Sequence, residues 1–378
     1  MKDFCLQERG SSNSRIRTYQ YIKDHNPSTR QEISKNLGLS YPTVANAVKV
    51  LVGNGLIVPS FNKQKTEGRS AVSYDFCSDT YCSIGLYLAQ NKMTFVLADL
   101  RGEILDQKKV KAALNLRSDG YLKYVGEQLK AIVQKNNILP SNLLGVGIAL
   151  PGLISRDGEY VQYGHTSDFT GVTKTEISKY IPYKTALLHD SDAGAFAELN
   201  KWPDMRDAFY ISLSSSVGGA LMLDRKIVHG QDNWCGEIGH MKLITDRNAG
   251  ECYCGHRGCF DTVCRCGVLD VLTDGNIEEF FEILHAGDRA ALGLWNTYTD
   301  HLAMGVHNIH MLLDIPVILG GYVGELMKED LPELRKKINS LEPFNSNADD
   351  FVFCSRSGAD QVAEGAALIQ IRIFENEI

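Results

Sequence analysis

The sequence predicts an α/β protein with an N-terminal winged helix-turn-helix. Residues 13–52 read as helix, helix, short glycine-containing turn, helix, and two strands around a basic tip follow them. From residue 81 a β-β-β-α-β plan begins, and its two-strand-plus-turn opening returns at residues 209–228. Charge divides at the same place. Residues 1–76 hold 11 Lys+Arg and 6 Asp+Glu, a net of +5, so the remainder carries −7 − 5 = −12. A basic head on an acidic body points to a head that meets a polyanion.

In the head, Ile16, Tyr19 and Ile22 form a helical stripe between Asn13 and His25. Pro27-Ser28-Thr29 breaks the chain. Ser28 or Thr29 then caps a helix through Leu37, and Ser28 to Glu32 approximates a capping signal with a one-residue offset. Ser40 caps a third helix, Tyr41 to Val52, with Pro42 in its first turn and Val44, Val48 and Leu51 as its buried stripe. Leu56 to Val58 and Ala71 to Phe76 read as strands flanking a wing. The third helix of such a fold enters the major groove, so Tyr41, Thr43, Asn46 and Lys49 are its outward candidates. Thr43 and Asn46 can touch base edges, whereas Lys49, Lys63, Lys65 and Arg69 suit phosphate or minor groove.

In the body, Tyr81 to Leu88 and Thr94 to Leu100 predict a hairpin, and Ile104 to Ala113 a third strand. Tyr121 to Gln134 is an amphipathic helix. Leu143 to Leu150 is an apolar run suited to burial on both faces, and it ends at Pro151-Gly152, where α/β proteins place ligands. Thr185 to His189 is a short buried strand followed by Asp190-Ser191-Asp192 and an Ala-rich helix, 193–199. Strands follow at 209–214, 218–223, 226–228, 316–321 and 351–354. Helices follow at 277–284, 292–313, 333–341 and 360–374. No run of about 18 apolar residues occurs, so no membrane helix is expected. The first residues lack the apolar core of a signal peptide, which makes the cytoplasm the expected location.

Ten cysteines include five between 252 and 266, a crowding that favours metal over disulfides. Cys252, Cys254 and Cys259 form a Cys-x-Cys-x4-Cys knuckle, and His240 precedes it by twelve residues. Three thiolates and one imidazole match the tetrahedral N/S demand of Zn²⁺. Gly255 and Gly258 fall where a tight metal loop needs positive φ. Cys235, Cys264 and Cys266 lie close enough in sequence to serve as alternative ligands.

The head, Gly236-Glu237-Ile238-Gly239-His240, the cysteine knuckle and Leu319-Gly320-Gly321 together resemble the ROK family of repressors, open reading frames and kinases. The resemblance covers nearly the whole chain. It implies two actin-like or hexokinase-like (ribonuclease-H-like) lobes around a cleft: a head at 1–76, a first lobe at 80–195 plus 360–378, and a second lobe with the metal loop at 196–359. It implies a sugar site at His189, Asp190, Glu237, His240 and Asp261, with Gly152 beside it. His189 stands where the family's kinases carry Asn, and Asp261 where they carry a Glu one methylene longer. Their Asp-x-Gly-Gly-Thr phosphate turn reads here Tyr87-Leu88-Ala89-Gln90-Asn91, and Gly-Thr-Gly-x-Gly reads Ser214-Ser215-Ser216-Val217-Gly218. A base without a positioned phosphoryl donor gives no turnover, so Asp190 is expected to be a vestigial base. The resulting expectation is a zinc-containing, non-enzymatic, sugar-responsive repressor. Its partners would be operator DNA, a sugar or sugar phosphate, and further copies of itself in a dimer or tetramer. The rival expectations are an active sugar kinase with a fused head and a regulator controlled by protein docking.

Overall fold

The structure, a computed structural model, describes residues 10–60, 72–164, 168–246, 249–344, 346–358 and 360–378. The head contains α1 (Gly10–Asp24), β1 (Ser28–Thr29), α2 (Arg30–Leu37), α3 (Tyr41–Gly53), β2 (Ile57–Ser60) and β3 (Ser73–Phe76), its strands ordered β1-β3-β2 and antiparallel. Thr29 starts α2: its hydroxyl accepts the Glu32 N–H while Glu32 accepts the Thr29 N–H, a reciprocal pair that satisfies two otherwise orphan donors. The cap is thus Thr29, one residue later than the Ser28 alternative. Ser40 caps α3 as its spacing predicts. Tyr19, Ile22, Val44, Val48 and Leu51 are buried together.

Two five-stranded sheets follow. The first holds β4 (Cys82–Ala89), β5 (Lys92–Asp99), β6 (Ile104–Lys111), β7 (Leu143–Leu150) and, after the small hairpin β8 (Leu153–Ile154) and β9 (Val161–Tyr163), β10 (Thr185–His189). The second holds β11 (Ala208–Leu213), β12 (Val217–Leu223), β13 (Lys226–Val228), β14 (Val317–Gly320) and β15 (Val352–Cys354). Their orders are β10-β7-β4-β5-β6 and β13-β12-β11-β14-β15. In each, three consecutive antiparallel strands meet two parallel ones on the side of the first strand. The repeated plan legible in the sequence is therefore one topology used twice.

Helices cover these sheets. α4 (Asp119–Lys135) buries Leu122, Val125, Leu129 and Ile132 in the core of the first sheet. The short α5 (Lys174–Ile177) leads to β10, and α6 (Asp190–Lys201) begins directly at its end. In the second half α7 (Asp261–Cys264), α8 (Ile277–His285), α9 (Arg289–Leu313), α10 (Gly321–Leu326), α11 (Leu331–Asn339) and α12 (Ala348–Phe351) surround the sheet, and α13 (Gln361–Glu377) closes the fold. The closing helices are exchanged. α6 follows the first sheet but packs on β11 and β12, while α13 follows the second sheet but packs on β4, β5 and β7. They cross in backbone contact: a Cβ on Gly365 would lie 1.6 Å from the Ala193 carbonyl oxygen. The expected boundary at 195/196 accordingly falls inside one continuous helix. No helix among the described residues is long and apolar enough to cross a membrane.

The head rests on the end of α13. Ile371 and Ile378 are buried in the same cluster as the head's apolar residues, with Phe374 packed against it. Lys23 pairs with Glu375 at 2.7 Å, and Arg101 donates to the Lys23 carbonyl while lying over the Phe76 ring.

Candidate functional site

The cysteine knuckle folds around glycines with φ of 81° at Gly255 and 73° at Gly258, as the loop was expected to require. A Cβ on Gly258 would sit 1.9 Å from the Ile244 carbonyl oxygen. The Cys252 N–H donates to the His256 carbonyl and the Gly258 N–H to the Gly250 carbonyl, drawing the loop tight. The ligand atoms of His240, Cys252, Cys254 and Cys259 all lie within 4.8 Å of one another. A zinc tetrahedron has S···S edges of about 3.8 Å and S···N edges of about 3.5 Å, from Zn–S near 2.3 Å and Zn–N near 2.0 Å. Here Cys254 Sγ and Cys259 Sγ are 3.8 Å apart, and Cys252 Sγ and His240 Nδ1 are 3.7 Å apart. The donor set therefore fits zinc in kind and spacing. Lys242 Nζ donates to Cys259 Sγ at 3.2 Å and places a positive charge beside the cluster. Cys264 instead meets the Tyr298 carbonyl and Cys266 the Asp270 carboxylate.

His240 turns its other nitrogen away from the cysteines. Nε2 lies 3.2 Å from Tyr253 Oη and 3.8 Å from Glu237 Oε2. Tyr253 comes from inside the knuckle, a role the sequence pattern does not reveal. His240, Glu237 and Tyr253 form one side of a cavity of about 70 Å³, and Gly152, His189 and Asp190 form another. Strand β7 delivers Gly152 just past its carboxyl end, and β10 delivers His189 and Asp190 at its own. Five of the six residues expected at the sugar site thus share one cavity.

Asp190 is already engaged. Tyr87 Oη donates to Oδ2 at 3.3 Å, and His189 Nε2 lies 3.2 Å from Oδ1. Burial works against a charge on His189, yet Asp190, Glu237 and Asp192 hold its pKa above the ordinary value. The sixth residue, Asp261, lies outside the cavity wall. It is fully buried, Oδ1 accepts the Val217 N–H at 2.8 Å, and Oδ2 has no hydrogen-bond partner among the described residues. Burial raises its carboxyl above the usual range, against the pull of that N–H, Arg265 and His240. Asp261 ties the end of the knuckle to the turn that opens β12.

Ser215 of that turn lines a second cavity of about 450 Å³ with Lys92, Arg265 and Tyr322 among others. Lys92 Nζ stands 4.7 Å from the centre of the Tyr322 ring and bridges the first hairpin to α10. Ala89 is buried in β4, and Gln90 and Asn91 make the turn without a glycine.

In the head, Tyr41, Asn46 and Lys49 are exposed on α3, and Tyr41 is 54% accessible. Thr43 is half-buried, and its hydroxyl lies 2.7 Å from the Ser40 hydroxyl, so part of its hydrogen-bonding capacity serves the cap. Lys63, Lys65 and Arg69 lie outside the described residues.

Residues 12–58 match the family model described as winged helix-turn-helix DNA-binding. The chain is 22% identical over 349 residues to the xylose repressor of Caldicellulosiruptor bescii, covering 85% of this chain and 87% of that protein. Among solved structures, it superposes on a ROK family transcriptional regulator described as a homologue of the E. coli MLC protein, with a TM-score of 0.78, 21% identity and 97% of each chain covered. It also superposes on a ROK family glucokinase from Streptomyces griseus in complex with glucose and AMPPNP, with a TM-score of 0.63, 20% identity, and coverage of 76% of this chain and 98% of that one. The ROK family model matches residues 83–372, and the chain belongs to the ROK family.

Proposed function

We infer that the protein is a sugar-responsive transcriptional repressor. One observation carries the reading: Asp190 and Glu237 converge with His240 on a single cavity, and His240 also belongs to the His/Cys cluster. Carboxylates accept from vicinal hydroxyls in pairs, and an imidazole fixed through one nitrogen offers the other to a ligand. Gly152 and His189 complete the cavity wall, while Asp261 lies buried behind it and supports the site by holding the β12 turn to the knuckle. A repressor name among the relatives and the winged head support the DNA-binding half. Tyr41, Thr43, Asn46 and Lys49 of α3, with Lys63, Lys65 and Arg69 of the wing segment, form the operator-binding surface, and the protein works in the cytoplasm beside its operator.

Zinc is the metal of the His240–Cys252–Cys254–Cys259 cluster and supplies a structural fixed point. The chain itself holds His240 toward Glu237 and keeps the knuckle joined to the β12 turn through Asp261. A homodimer or homotetramer presents paired heads to paired half-sites. Sugar binding shifts the spacing of the heads only by its differential affinity for the two arrangements.

The kinase machinery is degenerate in this reading. Tyr87 and His189 each contact one oxygen of the vestigial base, and Lys92 over Tyr322 bridges the glycine-free first hairpin to α10. The test is a panel of sugars and sugar phosphates assayed by thermal shift, by operator binding and by an ATP-coupled turnover assay. A hit that raises Tm and alters operator affinity without turnover upholds the reading. Turnover at the rate of an ordinary sugar kinase overturns the non-enzymatic assignment. A panel without a single binder overturns the sugar assignment and leaves protein docking.

A further inference from the structure

A second compartment adjoins the sugar cavity, with His189 and Leu153 as shared walls. Its volume is about 200 Å³ against about 70 Å³. Both halves of the fold line it. The β8–β9 hairpin contributes Leu153 to Ser155, α6 contributes Asp192 and Phe196, and the segment after β13 contributes His229, Asn233 and Cys235. We propose that this compartment is a second sugar subsite, and that the effector is a disaccharide or glycoside whose second unit occupies it. The proposal rests on the sugar-sensor reading above and extends it.

The lining has the two-sided chemistry that a sugar ring needs. Leu188, Phe196 and Ile369 supply an apolar wall for C–H faces, while Asp192, His229 and Asn233 supply donors and acceptors for hydroxyls. His229 Nδ1 and Asp192 Oδ2 stand 3.5 Å apart, too far for a tight bond and close enough to share a hydroxyl. Asn233 is held in the left-handed region at φ 60°. Its Nδ2 donates across to the Ile154 carbonyl at 2.8 Å, while its Oδ1 is buried without a hydrogen-bond partner among the described residues. A buried acceptor is costly to leave unpaired, and a ligand hydroxyl is the donor it lacks. A unit seated there touches groups from both halves at once.

The test uses the full chain loaded with zinc and calorimetry on matched pairs: xylose with xylobiose, and glucose with cellobiose and maltose. In at least one pair the disaccharide is expected to bind about tenfold tighter than its monosaccharide, the worth of one or two added hydrogen bonds. Cys235→Phe, which fills the compartment, and Asn233→Ala, which removes the orphan acceptor, should each erase that advantage and leave monosaccharide affinity within about twofold. Unchanged operator affinity without sugar certifies that each variant is folded, and Asn233→Ala alone suffices if the larger residue prevents folding. Equal affinity within every pair, or an advantage that survives both substitutions, overturns the subsite while leaving a monosaccharide sensor intact. Absence of binding by every member of the panel overturns the sensor reading itself, and the subsite with it.

Discussion

Asp190→Asn tests the proposed sugar site apart from the winged head. The substitution keeps the shape of the side chain and removes its charge. Tyr87 Oη at 3.3 Å and His189 Nε2 at 3.2 Å are both longer than the ~2.7–2.9 Å of a tight charge-assisted bond, so Asp190 retains acceptor capacity for a ligand. A hydrogen bond to a charged acceptor contributes about 1.5–3 kcal/mol, which corresponds to about 10- to 150-fold in Kd. Calorimetry with the effector identified by thermal shift should show that weakening. Operator titrations should show the same factor in the sugar concentration that gives half-response. Sugar-free operator affinity should not change, because the residues of α3 proposed to face the operator belong to the head, whose core meets the body at the far end of α13. An unchanged sugar Kd would refute the assignment of Asp190 to the ligand. A parallel fall in sugar-free operator binding would show that the substitution had damaged the fold instead.

Other expectations follow from the same geometry. Cys254→Ser should leave the chain without bound zinc by elemental analysis and lower its Tm. Sugar affinity should fall by about 10- to 100-fold, because His240 loses its fixed point. His189 should make stability pH-dependent. Its pKa is raised in the fold, so its contribution is complete below the ordinary value of 6.5 and is lost as pH rises through the raised value. Tm of the parent protein should therefore fall across that window relative to His189→Gln, and parallel profiles would contradict it. Ile371→Ala, at a side chain 3% exposed beneath the head, should cost about 2–5 kcal/mol in denaturant unfolding and blunt the sugar response of operator binding.

Much of the fold is legible in the sequence because local and long-range signals coincide. Leu143–Leu150 and Thr185–His189 match the observed strands residue for residue, since continuous apolar runs bounded by turn residues have one solution. The start of α6 is less legible. The residue pattern starts the helix at Ala193, yet Asp190 is already its first residue, with His189 as the residue that precedes it. Carboxylates favour a helix N-terminus, and this one begins where β10 ends. The hairpin β8–β9 is too short for periodicity to register, although it lines the second compartment.

The site is legible in its residue types and less so in its contacts. His240 and the knuckle announce themselves by spacing. Glu237, His189 and Asp190 need the resemblance, and the cavity brings them together. Asp261 stands apart because a shorter side chain beneath the turn meets the Val217 N–H instead of the cavity. The bond from Tyr87 to Asp190 spans 103 residues, and no local pattern announces such a contact. Tyr253 hides inside a motif read for its cysteines alone.

The head's underside is covered by residues from the opposite end of the fold: 352 positions separate Lys23 from Glu375. A chain emerging during synthesis makes its DNA-reading helices first and leaves their lower face bare until α13 arrives. Contacts of such separation form late, because the loop they close is long. An incomplete chain would therefore leave the face of the head that meets Ile371 and Ile378 uncovered until the last helix is made.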